Sequence, residues 1–67
     1  MKQLYKSITI YTDKSDRFAL IVYKSGKTAV RRFDELSATA QTFIALARYH
    51  FSRRNPLTGE HGTEYTF

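Results

Sequence analysis

The side chains able to do chemistry are few. The chain of 67 residues holds two histidines, His50 and His61, six carboxylates and no cysteine. Nucleophilic or acid–base catalysis needs a nucleophile, a base and an orienting group within hydrogen-bond reach of one another. No such set can be assembled. His50 lies beside an apolar helical arc, and His61 stands next to Glu60 in a polar C-terminal stretch. Asp34 and Glu35 stand where a helix would begin, and the positive end of its dipole explains them. Ser25-Gly26-Lys27-Thr28 contains a GKT tripeptide. It lacks the upstream glycine and the strand–loop–helix setting of a phosphate-binding loop. Two histidines without cysteine do not make a structural zinc site. The chain therefore reads as no enzyme, with no catalytic residue, no metal and no cofactor.

What the sequence does offer is charge interleaved with aromatic rings. Eleven Lys and Arg face six Asp and Glu, for a net charge of +5 and a pI near 9.8. Such a balance favours polyanionic partners. Residues 1–36 carry eight of the basic residues against four acidic ones, so the first half is the more basic. Within it, Tyr5, Tyr11 and Tyr23 are expected to project together with Lys27 and Arg31, and Lys24 extends the group. Aromatic faces stack on bases while Lys and Arg neutralise phosphates. Arg53 and Arg54 would add backbone contacts.

The elements that must position these groups begin with a hairpin over Phe18–Phe33, FALIVYKSGKTAVRRF. A two-residue loop at Ser25-Gly26 would pair Val22 with Ala29, Leu20 with Arg31 and Phe18 with Phe33. A three-residue loop, Lys24-Ser25-Gly26, is a type I turn closed by a bulge, with Gly26 at positive φ. It pairs Val22 with Thr28, Leu20 with Val30 and Phe18 with Arg32, and gathers Phe18, Leu20, Val22 and Val30 on one side. The three-residue loop is preferred for that reason. The other side then carries Arg17, Ala19, Ile21, Tyr23, Lys27, Ala29, Arg31 and Phe33, and is expected to be the open, nucleic-acid-binding face. Arg32 falls on the covered side and must lie at its edge. Leu4–Thr12 alternates as a half-buried strand, with Leu4, Ile8 and Ile10 on one face, Lys6 as the exception, and Tyr5, Ser7, Thr9 and Tyr11 on the other. Asp13–Asp16 is a polar turn joining it to the hairpin. The strands form a meander with Phe18–Val22 in the centre.

From Leu36 the spacing turns helical. Leu36, Ala40, Phe43, Ile44, Ala47 and Phe51 fall within one arc, and the alanines favour helix. Asp34 or Ser37 is the N-cap. Pro56 biases Asn55 away from helical geometry, so the helix is predicted over residues 35–52. Its opposite face, Ala38, Thr42, Ala45 and Tyr49, is neutral and small. It suits a protein interface, a homodimer through the helix included. The predicted fold is thus α+β: a three-stranded antiparallel meander packed on one C-terminal helix, βββα. Residues 1–54 make the single domain and residues 55–67 a flexible tail, which Tyr65 and Phe67 would pin back or shape into a short strand. No apolar run reaches the ~18 residues of a membrane span. The start, MKQLYKSITI, has no signal-peptide layout, and the lack of cysteine suits a reducing cytoplasm.

One short segment resembles a known family. Arg54, Asn55, Pro56, Thr58, Gly59 and Glu60 match the tip of the DNA-binding β-arm of the HU and integration host factor family, approximately R-N-P-x-T-G-E. The resemblance implies an arm in the minor groove, with the proline wedged between base pairs. It covers about seven residues. The rest departs, because that family begins with helices and flanks its arm with long strands, and NP-x-TG is also a turn on chemistry alone. The order of three strands and a helix also looks like the small DNA-binding domains of integrases and plant AP2 factors, by architecture and not by motif. The reading is a small basic non-enzymatic nucleic-acid-binding protein, accessory or regulatory, with DNA favoured over RNA. The alternative is a phage-type or mobile-element module that binds and inhibits a host or defence protein.

Overall fold

The computed structural model describes residues 4–67. These residues form one five-stranded antiparallel sheet and a single α-helix. The strands are β1 (Tyr5–Asp13), β2 (Asp16–Tyr23), β3 (Thr28–Arg32), β4 (Tyr49–Arg54) and β5 (His61–Thr66). Their order across the sheet is β3-β2-β1-β5-β4. A 3-10 turn, Phe33–Glu35, and the helix α1, Ala38–Leu46, connect β3 to β4. The three-stranded meander with a helix and a flexible tail is therefore corrected. The segment expected as a tail supplies β5, and β1, not β2, is the middle strand.

The helix is shorter than its apolar periodicity suggests. It starts at residue 38 because Ser37 caps it, its hydroxyl oxygen accepting the Ala40 N–H at 3.2 Å. Asp34 instead lies in the 3-10 turn beside Arg32, at 3.6 Å. The helix ends at Leu46, and Ala47 turns extended at φ −59°, ψ 135°. No proline or glycine ends it there. The Arg48 N–H bonds the Thr66 carbonyl, and Tyr49–Arg54 then pairs with His61–Thr66 along its whole length. A helix over residues 47–52 would satisfy the same backbone groups locally. The hairpin satisfies them with a partner strand and places Tyr49 and Phe51, rings suited to a pleated surface, in a strand.

The turn of that hairpin is chemically specified. The Asn55 side chain accepts the Leu57 N–H at 2.9 Å, and the Gly59 N–H bonds the Asn55 carbonyl at 2.7 Å with Gly59 at φ +74°. Glu60 reaches to the neighbouring β1–β2 turn and accepts the Lys14 N–H at 3.2 Å, so the two hairpin tips meet at one end of the molecule.

The β2–β3 hairpin has the register that the three-residue loop requires. Val22 pairs with Thr28, Leu20 with Val30 and Phe18 with Arg32. The Gly26 N–H bonds the Tyr23 carbonyl at 3.0 Å, the Tyr23 N–H bonds the Lys27 carbonyl at 2.8 Å, and Gly26 sits at φ +94°. What differs is the side on which the helix lies. The β1–β2 connection leaves only Lys14 and Ser15 between paired Asp13 and Asp16, with Lys14 at φ +56°. That turn sets Ile8 opposite Ile21 and Ile10 opposite Ala19. A bulge at Lys6 then turns Tyr5 onto the same side, opposite Tyr23. The Thr66 hydroxyl donates to the carbonyl of the bulged Lys6 at 3.0 Å. The buried core is accordingly Tyr5, Ile8, Ile10, Ala19, Ile21, Leu36, Ala40 and Phe43. Phe43 meets the Tyr5 ring edge-on at 5.4 Å and the Phe67 ring at 5.1 Å. Phe18, Leu20, Val22 and Val30, expected under the helix, lie on the opposite side.

Candidate nucleic-acid interface

Side-chain parity fixes what each side of the sheet presents. On the helix side the strands carry Arg17, Ala19, Ile21 and Tyr23, then Ala29 and Arg31, then His50, Ser52 and Arg54, with His61, Thr63 and Tyr65. Lys27 precedes β3 on this side, next to Tyr23. On the open side they carry Asp13, Asp16, Phe18, Leu20, Val22, Val30 and Arg32, with Tyr11, Tyr49, Phe51, Arg53 and Glu64.

Charge is segregated by this parity. Among the described residues, the strand positions of the helix side hold Arg17, Arg31 and Arg54 and no carboxylate. The open side sets Arg32 and Arg53 against Asp13, Asp16 and Glu64. Both of its arginines are engaged: Arg32 with Asp16 at 3.5 Å and Asp34 at 3.6 Å, Arg53 with Glu64 at 3.1 Å. These are the ion pairs of the described residues; Arg17, Lys24, Lys27, Arg31 and Arg54 have none. The one carboxylate left unpaired near the basic edge is Glu35, in the 3-10 turn beyond β3.

The expected site residues therefore divide. Lys27 and Arg31 do share a side and stand exposed on the edge strand, with Lys24 at the adjacent loop tip. Four residues of extended chain separate Lys27 from Arg31, about 13 Å. Tyr5 and Tyr23 share that side but serve the core. Tyr5 is 7% exposed, and its ring lies 5.4 Å from that of Tyr23. They form no open platform for bases. Tyr11 lies on the other side, its ring over Gly62, where a Cβ would collide with the ring. Arg53 and Arg54, adjacent in β4, point to opposite sides. Ala38, Thr42 and Ala45 are exposed on the helix, whereas Tyr49 begins β4 and leaves that face.

Two features lie outside the expected site residues. Arg17 extends the basic edge, its guanidinium 3.9 Å above the Phe33 ring. Beside it, where the helix does not reach, Ile10, Thr12, Arg17, His61, Thr63 and Tyr65 line a groove of about 270 Å³. Its lining offers a guanidinium, an imidazole and three hydroxyls, and no carboxylate. The pairing of β1 with β5 creates it, and no local pattern announces that pairing. The segment Arg54–Glu60 closes the β4–β5 hairpin, so strands flank it on both sides, with Leu57 93% exposed at its tip.

Among the described residues, no group of acidic or histidine side chains could hold a metal ion, and no helix is long and apolar enough to cross a membrane. Comparison with known proteins found no matching family model, curated sequence or solved structure.

Proposed function

We propose that this chain is a small non-enzymatic nucleic-acid-binding protein that engages the phosphate backbone from the helix side of its sheet, not from the open side. The observation that carries this reading is the segregation of charge: the arginines of the helix side lack carboxylate partners, while those of the open side are neutralised. An unpaired cation at the surface keeps its full attraction for a phosphate and gives up no internal ion pair on binding. Lys27, Arg31 and Arg17 follow the β2–β3 edge and hold the backbone there. Lys24 extends the track at one end, and Arg54 with the hydroxyl-lined groove extends it at the other.

Binding of this kind rests on counterion release, so affinity falls steeply with salt, with a log–log slope of about −0.9 per phosphate contact on duplex DNA. The test is fluorescence anisotropy with duplex DNA, single-stranded DNA and RNA of matched length across a salt series. The double variant Lys27→Glu/Arg31→Glu is expected to lose binding at moderate salt and to flatten the slope by about two. Unchanged affinity and slope in that variant sink the proposal. So does a nuclease-treated lysate from which the chain recovers a salt-tolerant protein complex while binding none of the three nucleic acids, an outcome that favours the inhibitor reading instead.

A further inference from the structure

The open side of the sheet points to a second copy of the same chain. We infer that this protein is a homodimer joined face to face through Phe18, Leu20, Val22, Val30, Tyr49 and Phe51. This inference is independent of nucleic-acid binding.

Size makes the first argument. A folded monomer of 7.8 kDa is expected to expose about 4,400 Å², whereas this chain exposes 5066 Å². Of the exposed large apolar side chains, Val30 (61%), Tyr49 (52%) and Phe51 (44%) belong to the open side, while Leu4, Leu46, Leu57 and Phe67 lie elsewhere. Tyr49 and Phe51 are already stacked on each other, rings 17° from parallel, and so present a preformed surface. The helix covers only the other side, and the described chain has no further element to lay over this one. A chain this short gains little from a one-sided core, and oligomerisation is a usual remedy.

Charge makes the second argument and selects the occupant. Two copies of a chain with net charge +5 repel wherever their unpaired cations meet. On the open side Arg32 and Arg53 are paired, and Asp13, Asp16 and Glu64 share the surface, so like molecules can approach there without that cost. A polyanion gains nothing from a face so neutralised. In a face-to-face dimer the two helix sides point away from each other, and both basic edges remain free.

Sedimentation equilibrium on nuclease-treated protein tests this, run in high salt and at about 100 µM, where a micromolar dimer is saturated. The expected mass is twice the 7.8 kDa of the chain. A mass of one chain under those conditions overturns the inference. The double variant Val30→Lys/Phe51→Lys is expected to sediment as one chain with an unchanged far-ultraviolet circular dichroism spectrum. A variant that folds and stays dimeric moves the interface off the open side and overturns the assignment. If the variant does not fold, the solvent accessibility of Val30 and Leu20 amide and methyl protons in the native protein decides. Protection from a soluble paramagnetic probe supports the interface, and full accessibility overturns it.

Discussion

Ile8 has no accessible surface, and Val30, its equal in chemistry, is 61% exposed. Both are β-branched residues in alternating strands. What separates them is place in the sheet: Ile8 faces the helix from the middle strand, and Val30 stands on the open side of an edge strand. Ile8→Ala removes side-chain volume from beneath the helix, and the cavity adds to the lost transfer energy. We predict a loss of about 3–4 kcal/mol, a large fraction of the stability of a domain this small. Urea unfolding followed by circular dichroism reads it. Gly62 is the other position of consequence at this scale. Its missing side chain lets the Tyr11 ring lie across β5, and a Cβ there would also stand 2.8 Å from the Ile10 carbonyl oxygen. Gly62→Ala is therefore expected to loosen the β1–β5 pairing. Faster amide exchange at Tyr11 and Ile10 than at Leu20 would register this, and uniform exchange would refute it. The basic residues also belong to this scale. Lys27 and Arg31 were legible as a pair from the sequence, because residues four apart in a strand share a side.

At the scale of elements, the β2–β3 hairpin was readable and the β4–β5 hairpin was not. Gly26 determines its own loop, and the loop determines the register. The segment Ala47–Arg54 carries apolar residues at both helical and alternating spacing, and its neighbours in sequence are helical. Only the partner strand His61–Thr66 decides between the two. Removal of residues 55–67 is therefore expected to unfold the chain rather than trim a tail, since β5 lies between β1 and β4. A truncated chain with native dichroism and a cooperative melt would disprove this. Ser37→Ala tests the helix itself. The loss of the Ala40 cap is predicted to cost about 1 kcal/mol, seen as a lower urea midpoint at an unchanged slope. The Asn55–Glu60 turn supports a sharper comparison. Its resemblance to a DNA-bending arm predicts that Pro56→Ala weakens DNA binding and reduces bending, measured by energy transfer between duplex ends. A turn that serves only to close the hairpin predicts neither change.

At the scale of the whole molecule, the sheet has two unlike sides. The helix side joins the core to a rim of unpaired cations. The open side is polar along its middle strand, at Ser7, Thr9 and Tyr11, apolar on the strands to either side, and balanced in charge. Sequence parity sorts residues into these two sets without error along β2 and β3, yet it does not say which set the helix covers. Both sets contain large apolar side chains, Ile21 and Tyr23 in one, Leu20 and Val22 in the other. The choice is made by β1, where the Lys14-Ser15 turn aligns Ile8 and Ile10 with Ile21 and Ala19 and thereby puts the most apolar pairs on one side.

The amino-acid sequence by itself determined the strands up to Arg32, the β2–β3 register, Asp34 or Ser37 as the helix cap and the grouping of Lys27 with Arg31. These depend on contacts between near neighbours: a positive φ at one glycine, a hydroxyl cap, a two-residue period. The tertiary structure alone decided the end of the helix, the insertion of β5 beside β1 and the side of the sheet that is buried. Each of those depends on pairing between residues up to sixty positions apart, as between Lys6 and Thr66. Local preference is nearly balanced in those segments, so the energy of long-range pairing and burial tips it.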